Sequence, residues 1–305
     1  MRVAVEVPAS SANLGVGFDA LALALDLTLR VEVEQLAGGG MSELQVSGEG
    51  AGRLGLNDAN RFVAGLRAGL TELGAAEAGQ AWRIEMENQI PLGRGLGSSA
   101  AAAVAGLLCA EGLAGRELAA ERRLALAVGM EGHPDNVAAA LLGGFVVVTG
   151  GGAGAWHVIR LDPPAELRAV LFVPDRELPT SRMRAALPEL VPRSDAVHNL
   201  GRAALLVAAL AGGRLELLST MCEDRLHEPY RAHIYPEFPA LERAALAAGA
   251  LGAALSGAGS TVIALCRAEQ TRSVAAAMSA SAEQQGLVGA ARVAAPRAAG
   301  ARVVA

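Results

Sequence analysis

An α+β fold in two domains is what the chain's own pattern predicts, and three features carry that expectation. Strand-like alternation and helix-like spacing follow one another in mixed order along the 305 residues, which favours a layered α+β sandwich over a doubly wound parallel sheet. Hydrophobic residues make up 52% of the chain and charged ones 19%, enough apolar side chain for one large or two ordinary cores. A glycine-rich stretch at Gly150–Gly154 breaks the pattern near the middle, so the expected domains are 1–152 and 153–305.

The elements follow in order. Val3, Val5 and Val7 alternate with Arg2, Ala4 and Glu6 as a half-buried strand. A small, polar, glycine-bearing loop from Pro8 to Asp19 leads into a long alternating strand at Ala22–Glu34, and Met41–Ser47 reads as another. Phe62, Leu66, Leu70 and Leu73 give Asn60–Leu73 helical spacing, and Trp82–Met86 returns as a strand. Ser98–Leu113 is a helix with small residues on every side, which implies burial against a sheet. An amphipathic helix at Glu117–Met130, a short helix from Gly132 to Gly143-Gly144, and a strand at Phe145–Thr149 complete the first half. The second half alternates strands at 156–161, 169–173, 253–256 and 261–265 with helices at 195–211, 214–226, 240–248 and 270–285, and a strand closes it near Arg302–Val304.

Composition narrows the function. A net charge of −5 offers no basic face, and aromatics at 3% leave few rings for base stacking, so nucleic acid is not the expected partner. The N-terminus lacks the apolar core of a signal peptide and no apolar run approaches a membrane span, so the expectation is a soluble, cytoplasmic protein without a membrane partner. Cys109, Cys222 and Cys266 are scattered and odd in number, as in a reducing compartment.

The chemistry is expected around Pro91-Leu92-Gly93-Arg94-Gly95-Leu96-Gly97-Ser98-Ser99-Ala100-Ala101. Three alternate glycines permit a tight turn and close backbone approach to a ligand. The two serines open a helix whose free N–H groups point back into that turn, an arrangement that binds phosphate. A glycine-rich turn before a helix is as often structural as ligand-binding, so the order of residues has to decide. A Walker loop needs Gly-Lys-Ser/Thr, and all 26 basic residues here are arginine. The spacing is G-x-G-x-G, not the G-x-G-x-x-G of a dinucleotide site.

The string Pro-x-x-x-Gly-Leu-Gly-Ser-Ser-Ala resembles the phosphate loop of the GHMP kinases. Two further strings, Pro8–Asp19 and Gly252–Thr261, are similar to the first and third motifs of that superfamily, in the same order. Within it the wording is similar to that of the homoserine kinases: Val-Pro-Ala-Ser-Ser-Ala-Asn-Leu-Gly-Val-Gly-Phe-Asp at the start, then Glu131–Val137, Thr180–Pro188, His227–Arg231 and a closing Gly300–Val304. The third motif carries Ser260 where the family has proline, and Asn60-Arg61-Phe62 stands where it has Asn-Leu-Ile/Val. The resemblance implies a two-domain GHMP-kinase fold, with a ribosomal-protein-S5-domain-2-like N-terminal domain and a ferredoxin-like α/β sandwich at the C-terminus. It also implies a homodimer using ATP and Mg2+ to phosphorylate L-homoserine in threonine biosynthesis. Another GHMP kinase with a mevalonate-type acceptor, or a non-catalytic metabolite sensor, is the alternative.

The family's roles fall on particular residues. Pro91 to Ala101 would hold the triphosphate, with Arg94 as a secondary phosphate contact and Asn60 as an adenine contact. Ser99 and Glu131 would hold magnesium; the competing reading of Glu131 is a solvated charge at a helix end. The amino-acid acceptor falls on Asn13, Asp19, Asn136, Arg184 and Arg231, because carboxylate and amide oxygens suit its ammonium and the arginine fork suits its carboxylate. Register assigns Arg184, with Arg182 as the alternative; the competing reading of Arg231 is a salt bridge to Glu228 or Glu237. Asp19 and Asn136 would orient the hydroxyl, and Asp135 is the candidate base. His133, before a proline at a helix start, is expected to be structural.

Overall fold

The computed structural model describes residues 1–36, 41–57, 59–75, 81–151 and 155–304. Strand β1 (Arg2–Ala12) pairs antiparallel with β2 (Leu21–Leu36), and the register shifts once, between Pro8 and Ala9. Next to β2 lies β4 (Ala81–Asn88), antiparallel, and beyond it β3 (Glu43–Gly48), parallel to β4. The other half of β2, Leu21–Leu23, pairs with β5 (Phe145–Gly150), which carries β6 (Trp156–Leu161) as a hairpin. The C-terminal strand β11 (Arg302–Val303) returns to the edge of β1, completing a seven-stranded sheet.

Helices α1 (Arg61–Glu72), α2 (Ser98–Ala114), α3 (Ala120–Glu131) and α4 (Asp135–Leu142) pack with this sheet. Helix α2 is enclosed as its composition predicts: Ala101, Ala103, Val104 and Leu107 are all closed to solvent. Small side chains allow α1 and β1 to approach it from different sides.

The second sheet has the order β10-β7-β9-β8, built from β7 (Leu167–Pro174), β8 (Gly252–Leu255), β9 (Val262–Arg267) and β10 (Gly289–Ala294), all antiparallel. The period of two along β7 and β9 divides their side chains cleanly. Leu167, Ala169, Leu171, Ile263 and Leu265 join one core with Val5 and Leu23 of the first sheet. Val170, Phe172, Val262 and Ala264 join the other, under α8 (Phe238–Ala247) and α9 (Thr271–Gln284). Between the sheets lie α6 (Arg193–Ala211) and a 3₁₀ segment, Leu215–Glu223, whose Leu206, Leu210, Leu215 and Leu218 share the first core. Two short helices, α5 (Thr180–Ala185) and α7 (Glu228–Arg231), complete the fold.

One expectation shifts. The helix expected at 214–226 is the 3₁₀ segment, because the Asp224 carboxylate accepts from the backbone N–H groups of Leu226, His227 and Glu228 and starts a new turn there. Strand β10 has no alternation to announce it; pairing with β7 makes it a strand. The division expected at 152/153 lies outside the described residues. Because β6 stays hydrogen-bonded to β5 and the chain enters the second sheet only at Leu167, we propose the boundary between Leu161 and Leu167.

On α8, beside β8, the Oε1 atom of Glu242 is buried without a hydrogen-bond partner, and burial pushes its carboxyl up to about 7, partly offset by Arg243 and Cys222. A raised carboxyl favours the folded state at low pH, and that contribution is lost as pH rises through 7. Glu242→Gln is therefore expected to stabilise the protein by about 1–3 kcal/mol at pH 8 and to have little effect at pH 4. Denaturant unfolding of both proteins at the two pH values checks this; equal gains at both would refute it.

Candidate active site

A cleft of about 650 Å³ opens where the end of β1, the glycine loop, the start of α4, α5, α7 and the turn after β8 meet. Chain segments far apart in sequence are joined there at hydrogen-bond distance. The Ser256 hydroxyl lies 2.7 Å from the Gly95 carbonyl and 2.9 Å from the Ser11 hydroxyl. Asn13 Nδ2 donates to the Gly257 carbonyl at 2.8 Å, and Gly257 N donates to Ala12 O at 3.0 Å. The Ser10 hydroxyl donates to Asn136 Oδ1 at 2.8 Å. Glycine is required at position 95: its φ is +76°, and a Cβ there would stand 2.1 Å from the Ser256 carbonyl oxygen. Gly97, also left-handed, turns the chain into α2. Ser260 uses its hydroxyl to donate to Arg176 O at 2.7 Å, a tether that proline has no means to make.

At one end of the cleft, Ser98 and Ser99 at the α2 N-terminus form the wall. The Ser99 hydroxyl donates to Glu131 Oε1 at 2.6 Å, and Arg61 Nε lies 3.3 Å from the same oxygen. Glu131 is thus no solvated charge: its side chain is only 6% exposed. Two adjacent hard oxygens beside a phosphate cradle fit magnesium, which takes its remaining ligands from water and phosphate. Among the described residues no group of three or more His, Cys, Asp or Glu side chains is placed to hold a metal.

Two of the residues expected to contact nucleotide at this end also make contacts within the fold. Arg94 lines the cleft, and its guanidinium donates to the carbonyls of Leu92, Pro174 and Asp175 and pairs with Glu177 at 2.9 Å. It fastens the glycine loop to the second domain. Asn60 caps α1, its Oδ1 accepting from Phe62 N at 3.0 Å and its Nδ2 donating to Gly55 O at 3.0 Å. It still forms part of an apolar pocket of about 680 Å³, with Leu29, Leu54, Met86 and Leu92, which shares Gly93, Ser98 and Ser99 with the cleft.

At the other end the charged side chains converge. Arg184 grips Asp19 with both Nη atoms, at 2.8 and 3.0 Å, and that bond holds its pKa above the usual arginine value. Arg182 is exposed and does not line the cleft. Arg231 is 1% exposed. Burial and the nearby Arg184 lower its pKa to about 10, so it stays charged at neutral pH. It pairs with neither Glu228, which accepts from Leu255 N, nor Glu237, which pairs with Arg176. Its Nη1 donates to Gly257 O at 2.9 Å and to His227 Nδ1 at 3.0 Å, while its Nε has no partner. The Phe18 ring lies against both guanidinium groups. Asn13, Leu14 and Asp19 hold φ values of 68°, 47° and 53°, a strained loop that presents Asn13 and Asp19 to the cleft.

Asp135 is buried at the cleft wall, where its Oδ1 accepts from Asn136 N at 2.7 Å and meets His133 Nδ1 at 2.9 Å. Burial alone would lower the His133 pKa, but the hydrogen bond and charge of Asp135 outweigh it and leave the imidazole above its usual value. His133, expected to be purely structural, therefore lines the cleft. Thr180 lines it as well, and His227 and Asp224 support it from behind. The only sequence signal for His133, Thr180 and His227 was their place inside motif strings read for other residues, and Asp224 had none.

Comparison with known proteins agrees with this geometry. A family model for the GHMP kinases N terminal domain matches residues 60–144, and one for the GHMP kinases C terminal region matches 206–284. The chain belongs to the GHMP kinase family. A homoserine kinase from Thermus thermophilus is 46% identical over 274 residues, covering 90% of each chain. One from Deinococcus radiodurans is 46% identical, covering 89% of this chain and 86% of that one. The crystal structure of homoserine kinase from Cytophaga hutchinsonii superimposes with a TM-score of 0.87 at 31% identity, covering 99% and 97% of the two chains. Within the family, this chain groups with the homoserine kinases.

The contact at Gly95 yields a direct test. Gly95→Ala forces a side chain onto the Ser256 carbonyl in a left-handed conformation, and should lower kcat/KM by about a hundredfold or more and stability by about 1–3 kcal/mol. Steady-state kinetics and thermal unfolding read both effects; wild-type values in the variant would refute the close contact.

Proposed function

We propose that this cleft transfers the γ-phosphoryl group of ATP to the hydroxyl of L-homoserine, giving ADP and O-phospho-L-homoserine. One observation carries the reading: an anion-binding helix start and a zwitterion-sized set of charges, Asp19 with Arg184 and Arg231, line one cleft. The backbone N–H groups of the glycine loop and the α2 terminus cradle the phosphates, and the apolar pocket beside Asn60 receives the base. Ser99 and Glu131 would hold Mg2+, which supplies charge neutralisation at the phosphoryl group. A cytoplasmic location accompanies this reading, supported by three free cysteines. Among the described residues no helix is long and apolar enough to cross a membrane.

Asp19 receives the acceptor's ammonium, and Arg184 and Arg231 receive its carboxylate. Asp19, aligned by two hydrogen bonds from Arg184, serves to orient the acceptor. Asn136 gives its Oδ1 to Ser10, which leaves its Nδ2 to donate toward the hydroxyl. Asp135 is the carboxylate that takes the hydroxyl proton as the oxygen attacks phosphorus and the bond to the ADP oxygen breaks. His133 holds its other flank.

A panel of acceptors with ATP and Mg2+ tests the substrate. Turnover of mevalonate but not homoserine, or tight homoserine binding with no transfer, would overturn the proposal. Arg231→Ala is expected to weaken homoserine binding by about 1.5–3 kcal/mol, with ATP affinity nearly unchanged; an unchanged KM for homoserine would make this arginine structural. Asp135→Asn should cut kcat by about a hundredfold or more with little change in KM. A kcat close to wild type would mean that the proton passes straight to the phosphate.

A further inference from the structure

We propose that His227 is a positioning residue of the acceptor pocket, locking Arg231 and the 13–19 loop into one rigid unit through a single neutral tautomer. The inference rests on the functional reading above for the identity of the acceptor, and on geometry for the rest. His227 is wholly buried. Its Nδ1 lies 3.0 Å from Arg231 Nη1, and its Nε2 lies 2.8 Å from the Gly15 carbonyl oxygen.

The two partners independently demand the same proton placement. A guanidinium has no acceptor, so Nδ1 must offer a lone pair; a carbonyl has no donor, so Nε2 must carry the hydrogen. A doubly protonated ring would set one N–H against another and place a second cation beside Arg231. Burial, opposed by Asp224 and reinforced by Arg231, lowers the imidazole pKa to about 4, so the ring is neutral at working pH. The charged groups facing it are Asp224, Arg231 and Asp19.

The surroundings hold the ring in that role. Phe18 stacks on it with centroids 5.1 Å apart and also lies against the Arg231 guanidinium. Asp224 accepts from the backbone N–H groups of His227 and Glu228, at 2.8 and 2.7 Å, and is itself gripped by Asn199 Nδ2 at 2.7 Å. A carboxylate-binding arginine 1% exposed, with an unpartnered Nε, needs such a brace to aim its fork. Through Gly15, the same ring also braces the loop that carries Asn13 and Asp19.

Three proteins and one spectrum test this. In wild type, turnover of homoserine is measured first; its absence would refute the substrate reading, not the brace. Given turnover, His227→Ala should raise the KM for homoserine about tenfold or more while the KM for ATP stays within about twofold. His227→Gln, whose amide offers one acceptor and one donor, should recover most of the loss. Unchanged homoserine KM in His227→Ala, equal loss for both substrates, or no recovery in folded His227→Gln would each overturn the proposal. Should the variants fail to fold, 15N chemical shifts of the wild-type ring decide: the Nε2–H tautomer throughout pH 5–7 supports it, and a protonated Nδ1 in that range refutes it.

Discussion

The meeting of three chain segments at the Ser256 hydroxyl is the constraint from which the rest of the site follows. One oxygen lies within hydrogen-bond distance of the Gly95 carbonyl and the Ser11 hydroxyl, so the glycine loop, the end of β1 and the turn after β8 stand closer than ordinary side chains allow. That closeness explains the small residues in all three strings. It also explains the placement of the domains, since the turn belongs to the second sheet and the other two segments to the first. Arg94 strengthens the join from the opposite side by binding carbonyls at the end of β7 and just beyond it. The cleft is a seam between domains, held by contacts among groups that are not themselves reactive.

Within that seam the two ends hold charge differently. At the phosphate end the chain has no lysine, and the arginine nearest the loop is committed to the fold. In the proposed reading, binding of anion there would depend on oriented N–H groups, which are fixed by the backbone and need no reorganisation as charge moves during transfer. At the acceptor end, full charges face one another in a partly buried setting. They remain tolerable because each has a partner: Asp19 has Arg184, Asp135 has His133, and Arg231 has a carbonyl and a neutral imidazole.

The motif strings made the site legible in the sequence because phosphate and amino-acid recognition need particular residue types at fixed local spacing. Gly95, Ser99, Asp135 and Asn136, which the strings single out, line one cleft, and the fold class was readable with them. Direction was not. Arg94 has the right charge in the right loop, yet its guanidinium goes to carbonyls some eighty positions onward, which no local pattern records. Asn60 has the chemistry of a ligand contact and is spent as a helix cap. His227 and Asp224 had no signal of their own, because their contacts reach far along the chain, to Gly15 for His227 and to Asn199 for Asp224. Strand β10 was missed for the related reason that pairing, not side-chain alternation, creates it.

The pairing at the acceptor end also bears on selectivity. Asp19 and Arg184 satisfy one another, so the pocket carries no exposed excess of either sign from that pair. In the proposed reading, an incoming amino acid would exchange its ammonium for one half of this bond and its carboxylate for the other. A molecule with only one of those charges would leave the second partner unpaired in a partly desolvated pocket, a penalty that falls on the wrong ligand alone. Arg231, hydrogen-bonded to His227, would then add a second donor to the carboxylate. On that reading, selection for a zwitterion would arise as much from the cost of breaking the Asp19–Arg184 pair as from the new bonds that the substrate makes.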